Sequence, residues 1–401
     1  MSIPVLDLSF ATSHNRGLLL DQLRNALYNV GFLYIENHGV PQPTISALTD
    51  LLPPLFDLPL ESRAGLSKAN SPHFLGYSGF AEETTLGKND LREQFDYATE
   101  LPVVWQEHGK QAGAGQKSRD FTKLYWRLRG PNQWPSEREL PGFRKALVKL
   151  VLFCCRWSNW IGHQSLTALS YHDALAALSY RFVHLVEEAF NIPAHTFDAF
   201  FSAAEDDNGD RKSAFLPPQH RLKLLKYPAV RNDDPTSADA QGVGPHKDSS
   251  GWLTFLYQVG DEAGLEVLAR DGTWLAAAPR AGTFVVNFGN AFEAATDGAV
   301  LATVHRVRAP RRRDRYSVPF FMGLPLDLTV SEIRSYIPEA VKRMRRDDEG
   351  EEAVQKTAVS SFLDPRWDSL GESQLRKWIR SHEDVARRWY GDSVTNYYIN
   401  T

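Results

Sequence analysis

The sequence is poor in sulfur. Its 401 residues include only two cysteines and three methionines. The cysteines, Cys154 and Cys155, are adjacent in a stretch of helical spacing, where a disulfide between neighbours is strained. A disulfide framework is therefore excluded, and two apolar thiols packed in a core are expected. An excess of charge of one sign is also missing, since 45 basic residues stand against 49 acidic ones for a formal net charge of −4. Bulk electrostatics gives such a chain no reason to bind nucleic acid or a membrane surface. No apolar run reaches the roughly 18 residues of a membrane span. Met1-Ser2-Ile3-Pro4-Val5-Leu6-Asp7 carries neither a basic nor a continuous apolar leader, so a cytoplasmic protein is expected. Internal repeats, low-complexity tracts and a phosphate loop after a strand are absent, and Gly76-Tyr77-Ser78-Gly79 lacks the spacing of a nucleophile elbow.

What is present is the balance of a soluble globular chain, 42% hydrophobic and 23% charged. Leu20, Leu23, Leu27 and Val30 fall on one helical face that Gly31 ends, and the strand Phe32-Leu33-Tyr34-Ile35 follows. Leu48, Leu51, Leu52 and Leu55 outline a second helix, and Gly76 to Gly79 reads as a loop. Residues 106–120 look like a surface insertion. Leu147, Leu150 and Val151, then Leu178, Phe182, Leu185 and Val186, form helical stripes. The acidic run 203–210 and the segment 231–242 read as solvated loops.

After Arg221 the texture changes to short apolar strands: 222–227, 252–258, 265–268, 283–288, 303–308 and 316–322. This spacing argues for a jelly-roll or sandwich. The last 75 or so residues return to helix, notably Glu372 to Tyr390, with a basic run from Lys342 to Arg346 beside acidic residues 347–352. The expected fold is α+β, a double-stranded β-helix core with flanking helices and a helical C-terminal extension. Its parts are an N-terminal segment (1–100), insertion and scaffold helices (101–220), the core (221–325) and the extension (326–401), in one compact unit.

Gly244-Pro245-His246-Lys247-Asp248 places an imidazole and a carboxylate at i and i+2 just ahead of a strand, and in extended chain these side chains project to the same side. Alone, such a pair is more often a surface accident. His305, in Thr303-Val304-His305-Arg306-Val307, offers a third donor from another strand. Two histidines and a carboxylate form the facial triad of non-haem Fe(II), and they also suit catalytic zinc. Arg315-Tyr316-Ser317 opens the next strand. If the basic turn around Pro310 closes a hairpin, His305 and Arg315 lie opposite each other, and Ser317 joins Arg315 in a clamp for a carboxylate.

These segments resemble the iron and 2-oxoglutarate dependent oxygenases of the isopenicillin N synthase-like family. The resemblance covers most of the chain. It rests on His246 and Asp248, Gly251-Trp252-Leu253-Thr254-Phe255-Leu256-Tyr257-Gln258, Gly264-Leu265-Glu266-Val267, Asp271-Gly272-Thr273-Trp274, Val285-Val286-Asn287-Phe288-Gly289, His305-Arg306-Val307 and Arg315-Tyr316-Ser317. Ile3-Pro4-Val5-Leu6-Asp7 and Gly31 to Val40 look like that family's opening segment. The resemblance implies that His246, Asp248 and His305 hold Fe(II), and that Arg315 and Ser317 bind the distal carboxylate of 2-oxoglutarate with Tyr227 beside it. It further implies that O₂ is consumed as 2-oxoglutarate is oxidatively decarboxylated to succinate and CO₂. Two positions depart from the family's pattern: Asn290 where Asp is common, and Leu225 where Asn is common.

The implied reaction oxidises an unactivated C–H bond of a small molecule, by hydroxylation as the default, with desaturation or ring rearrangement as other outcomes. Insertions like those of fungal members suggest secondary metabolism. Rival readings are a relative that uses no 2-oxoglutarate, a zinc hydrolase and a degenerate binding barrel. Oxygen and cosubstrate dependence separate the first two, and the intact ligand set weighs against the third. Tyr77, Arg92, Phe95 and Phe321 are the expected walls of the substrate pocket, with core packing the competing role for each aromatic. His38 is expected in a structural turn, and His172, directly followed by Asp173, suggests no second metal site.

Overall fold

The computed structural model describes residues 2–108, 119–148, 169–201, 216–230, 240–248, 251–349 and 368–400. Cys154, Cys155, Leu150, Val151 and the acidic run 203–210 lie outside the described residues, as do most of the 106–120 insertion and the 231–242 loop.

The strands are β1 (Val5–Asp7), β2 (Phe32–Glu36), β3 (Gly76–Ser78), β4 (Thr84–Thr85), β5 (Lys88–Asn89), β6 (Glu93–Ala98), β7 (Arg221–Tyr227), β8 (Gln241–His246), β9 (Leu253–Val259), β10 (Leu265–Leu268), β11 (Trp274–Ala276), β12 (Phe284–Phe288), β13 (His305–Arg308) and β14 (Arg315–Met322). An eight-stranded sheet runs β1-β2-β12-β9-β14-β7-β6-β3, and a four-stranded sheet runs β11-β10-β13-β8. Their inner faces enclose the cavity described below, as a jelly roll does. The six strands read from the sequence after Arg221 are all present, with ends shifted by a residue or two.

Three local readings change. Gly76 to Ser78 is a strand paired with β6, not a loop. His246 ends a strand instead of preceding one; β8 contains Gly242, Gly244 and Pro245, which carry little strand propensity and hide it. The proposed hairpin also fails. β13 pairs with β10 and β8, while β14 pairs with β7 and β9, so the turn around Pro310 carries the chain from one sheet to the other. His305 and Arg315 belong to opposed sheets, and both line the space between them.

Helices seal the outer face of the large sheet. Helix α1 (Arg16–Asn29) buries Leu19, Leu23, Ala26 and Leu27. It ends at Gly31, whose φ of +73° suits glycine and whose missing Cβ makes room for Thr303. Helix α2 (Tyr171–Ala189) starts at Ser170, whose hydroxyl accepts from the Asp173 amide, and buries Leu178, Phe182, Leu185 and Val186. The extension forms α3 (Leu370–Ser381), α4 (Glu383–Tyr390) and α5 (Asp392–Asn400). These pack in a separate apolar cluster with Phe74, Tyr125, Trp126 and Leu128, and so clamp the extension to the N-terminal half.

Candidate metal and cosubstrate site

Strand β8 delivers His246 at its last residue and, two positions on, Asp248. β13 delivers His305 in direct register with His246. The two imidazoles lie 4.3 Å apart between ring centres. Asp248 Oδ1 is 3.9 Å from His246 Nε2 and 3.6 Å from His305 Nε2. All three donor atoms fall within 4.8 Å of one another, a separation one ion can span.

The surroundings orient each donor. The Nδ1–H of His246 donates to the Gly244 carbonyl at 2.8 Å, and that of His305 to the Thr303 carbonyl at 3.1 Å. With Nδ1 carrying the proton, each Nε2 presents a lone pair to the common point. Asp248 Oδ2 accepts from Thr254 Oγ1 and Asn287 Nδ2, both at 2.8 Å, which leaves Oδ1 for a ligand. Burial pushes the His246 imidazole down to about 3, reinforced by the neighbouring His305, so it is a neutral donor. Burial works to raise the Asp248 carboxyl, but His305, His246 and the two hydrogen bonds outweigh it and hold it low. A hard carboxylate oxygen and two imidazole nitrogens fit Fe(II). Gly289 brings its chain so close to Gly251 and Asp248 that a Cβ would lie 2.2 Å from the Gly251 carbonyl oxygen. At Asn290, the backbone amide holds the Asp248 carbonyl at 2.8 Å, a contact any side chain there permits.

Deeper in, Arg315 is 1% exposed. Its Nη2 donates to Gln258 Oε1 at 2.8 Å, its Nη1 approaches Ser317 Oγ at 3.4 Å, and its guanidinium lies 5.0 Å over the Tyr227 ring, the residue in register on β7. Among the described residues no carboxylate pairs with it. Glu262 supports its charge only through space, and a buried guanidinium without a contacting counter-ion is costly, so the arrangement suits an anion delivered from outside. Ser317 is 1% exposed and faces the same space.

The cavity joining these groups has a volume of about 660 Å³, within the range of small-molecule sites. Of the four expected pocket walls, Arg92 and Phe321 line it. Tyr77 and Phe95 do not. Phe95 is fully buried against Phe56, Tyr77 and Tyr97, and the Tyr77 hydroxyl donates to Glu93 at 2.7 Å. Strand alternation explains the split: on β6, Phe95 and Tyr97 face the core while Asp96 faces the cavity. His38 takes the turn role expected of it, with Nδ1 accepting from the Val40 amide at 3.1 Å.

Sequence reasoning missed a charged wall. Lys68 Nζ pairs with Glu83 at 3.0 Å and Asp96 at 2.8 Å, Arg92 with Glu83 at 2.7 Å, and Lys223 with Asp96 at 3.1 Å. Lys377, Trp378 and His382 of the extension complete it. The alternation of polar and aromatic residues in Glu93–Ala98 was the available signal; nothing local tied α3 to the cavity.

Comparison with known proteins agrees with this geometry. Residues 3–137 match the N-terminal model of the non-haem dioxygenases of morphine synthesis, and residues 218–324 match that of the 2OG-Fe(II) oxygenase superfamily. The chain is 35% identical to the 2-oxoglutarate-dependent dioxygenase frbJ of Dothideomycetidae sp. (strain 11243), over 97% of this chain and 92% of that one. It is 26% identical to homoarginine-6-hydroxylase 2-ODD-C23 of Glycine max, over 90% and 98% of the two chains. In fold it resembles a full-length Neurospora crassa protein solved in complex with alpha-KG, with a TM-score of 0.60 at 21% identity over 89% and 96% of the chains. A 2OG-Fe(II) oxygenase family protein of Caulobacter crescentus gives a TM-score of 0.61 at 22% identity over 94% and 97%. The fold, the assembled donor set and the relatives together show that this chain belongs to the 2OG-Fe(II) oxygenase superfamily, enzymes that use Fe(II), 2-oxoglutarate and O₂.

Proposed function

We propose that His246, Asp248 and His305 hold the iron, that Arg315 and Ser317 clamp the distal carboxylate of 2-oxoglutarate beside Tyr227, and that the enzyme hydroxylates a small molecule bound between Arg92 and Phe321. The observation that carries this reading is the buried guanidinium of Arg315, which forms no ion pair among the described residues and faces the same cavity as three converging metal donors. When bound, iron and 2-oxoglutarate supply the activation of O₂, with oxidative decarboxylation of the cosubstrate to succinate and CO₂. The chain supplies position. The Gly244 and Thr303 carbonyls fix the imidazole tautomers, Thr254 and Asn287 fix the carboxylate, and Arg315 sets the cosubstrate's reach. The walls then hold one C–H bond of the substrate near the metal. Hydroxylation is the outcome named for the Glycine max relative, and a cytoplasmic setting in secondary metabolism completes the reading, with no nucleic-acid or membrane partner. No helix among the described residues is long and apolar enough to cross a membrane.

Anaerobic visible absorption of the Fe(II)-loaded protein tests the assignment. A weak charge-transfer band should appear with 2-oxoglutarate, vanish in His246→Ala and weaken in Arg315→Ala. A folded, iron-loaded protein that gives no band overturns it, and oxygen uptake without succinate would favour a cosubstrate-free oxidase.

A further inference from the structure

Helix α3 lines the cavity with Gln374, Lys377, Trp378 and Ser381, spaced three and four residues apart on one face, and with the flanking Arg376 and Arg380. Four cations surround the Trp378 ring: Arg221 at 4.6 Å, Lys223 at 5.4 Å, Lys68 at 5.5 Å and Lys377 at 5.9 Å. The carboxylates within their reach are already engaged. Asp96 serves Lys68 and Lys223, and Glu83 serves Lys68, Arg92 and the His382 imidazole at 2.6 Å. Asp90 is likewise taken, by Thr85 Oγ1 at 2.8 Å, Gln241 Nε2 at 2.9 Å and the Gly244 amide at 3.2 Å.

That leaves positive charge over. Arg221 spends Nη2 on the carbonyls of His73 and Leu128, at 3.0 and 3.1 Å, while its buried Nη1 has no hydrogen-bond partner among the described residues. Lys377 lines the same cavity and has neither a hydrogen-bond nor an ion-pair partner among the described residues; burial lowers its ammonium, against which Asp248, Glu83 and Asp96 act through space to keep it charged. Asp248 is no counter-ion for it, because Oδ2 is occupied and Oδ1 faces the imidazoles. A cationic substrate would meet this field with no unengaged carboxylate among the described residues lining it, and a neutral one would leave the field uncompensated in a confined space.

Resting on the function proposed above, we infer that the substrate is a small organic acid whose carboxylate docks on Lys377, next to Arg221 and Trp378. The extension is then part of the binding site, and Lys377 determines specificity by charge. This anion site is separate from the one at Arg315, so the substrate's carboxylate and the distal carboxylate of the cosubstrate are held by different cations.

The test uses the full chain loaded anaerobically with Fe(II) and saturating 2-oxoglutarate, the charge-transfer band being recorded first. Phenylacetate, phenylpropionate and hexanoate, each with its methyl ester and the amine of the same skeleton, are then titrated by calorimetry. At least one acid should bind about tenfold more tightly than its ester and amine, the scale of one charge-assisted hydrogen bond. Lys377→Met should erase that preference with the band retained, and Lys377→Arg should keep it. The inference is overturned if no acid binds, if every acid that binds is matched by its ester or amine, if Lys377→Met keeps the preference, or if that variant loses 2-oxoglutarate instead. Failure of the metal and cosubstrate assignment would show separately, as a missing band before any acid is added.

Discussion

The imidazole of His382 meets the carboxylate of Glu83, Nε2 to Oε1 at 2.6 Å, across 299 positions of the chain. Lys68 lies against both, 2.9 Å from the imidazole and 3.0 Å from the carboxylate. This buried junction is where the C-terminal extension is tied into the polar wall of the cavity, and its charges depend on one another.

Removing Lys68 should therefore be costly. Lys68→Met leaves Glu83 and Asp96 buried with a counter-ion missing, and a loss of about 3–5 kcal/mol is expected, as when one partner of a buried pair is deleted. Urea denaturation should show a lower midpoint with an unchanged slope. A loss below about 1 kcal/mol would mean that Arg92 and Lys223 suffice.

Asn287 touches the metal only through Asp248. Asn287→Ala should weaken Fe(II) binding by about 10–100-fold, the usual effect of losing such a supporting hydrogen bond, while the fold persists. Competition with a chromophoric chelator measures it, and unchanged affinity would show that Thr254 alone orients the carboxylate.

Arg315 and Ser317 should separate in size of effect. Arg315→Lys keeps the charge but not the planar fork, so 2-oxoglutarate should bind about tenfold or more weakly, and Ser317→Ala should cost less. Titration of the charge-transfer band reads both. Equal effects would mean that the hydroxyl carries as much of the anchoring as the guanidinium.

Stability should fall on acidification in a window set by histidines. Burial drives His220 down to about 3 and His38 to about 4, and burial with the Lys68 charge lowers His382 as well. Below the ordinary value of 6.5 the unfolded chain takes up protons that the folded chain refuses. Stability present at pH 7 is thus lost as pH falls through that value, by about 2 kcal/mol at pH 5 for His220 alone. Glu83 and Asp96, held low by their cations against the effect of burial, lose their charge only at more acid pH. A melting temperature that stays level between about pH 7 and pH 5 would contradict this.

His246 with Asp248, and Arg315 with Ser317, were legible as pairs because their geometry is local, whereas His305, on another strand, was assigned to the first pair only through the family resemblance. In extended chain a spacing of two places His246 and Asp248 on one side, or Arg315 and Ser317 on one side, whatever the rest of the molecule does. Short apolar strands announced themselves by alternation in the same way. The segment Gln241–His246 did not, since its glycines and proline carry no such pattern and its pairing with β13 supplies what its composition lacks.

By itself, then, the order of residues determined the two local pairs, the strand-rich core and the helical tail. The tertiary structure decided how these meet: His305 and Arg315 on opposed sheets instead of across one turn, Phe95 in the core and Arg92 in the cavity, and Lys377 on the same cavity as the metal donors. The reason is that sheet pairing and helix docking join residues far apart in the chain. Such contacts are selected by the fit of whole surfaces, here α3 against Phe74 and Tyr125, and no spacing along the sequence encodes them.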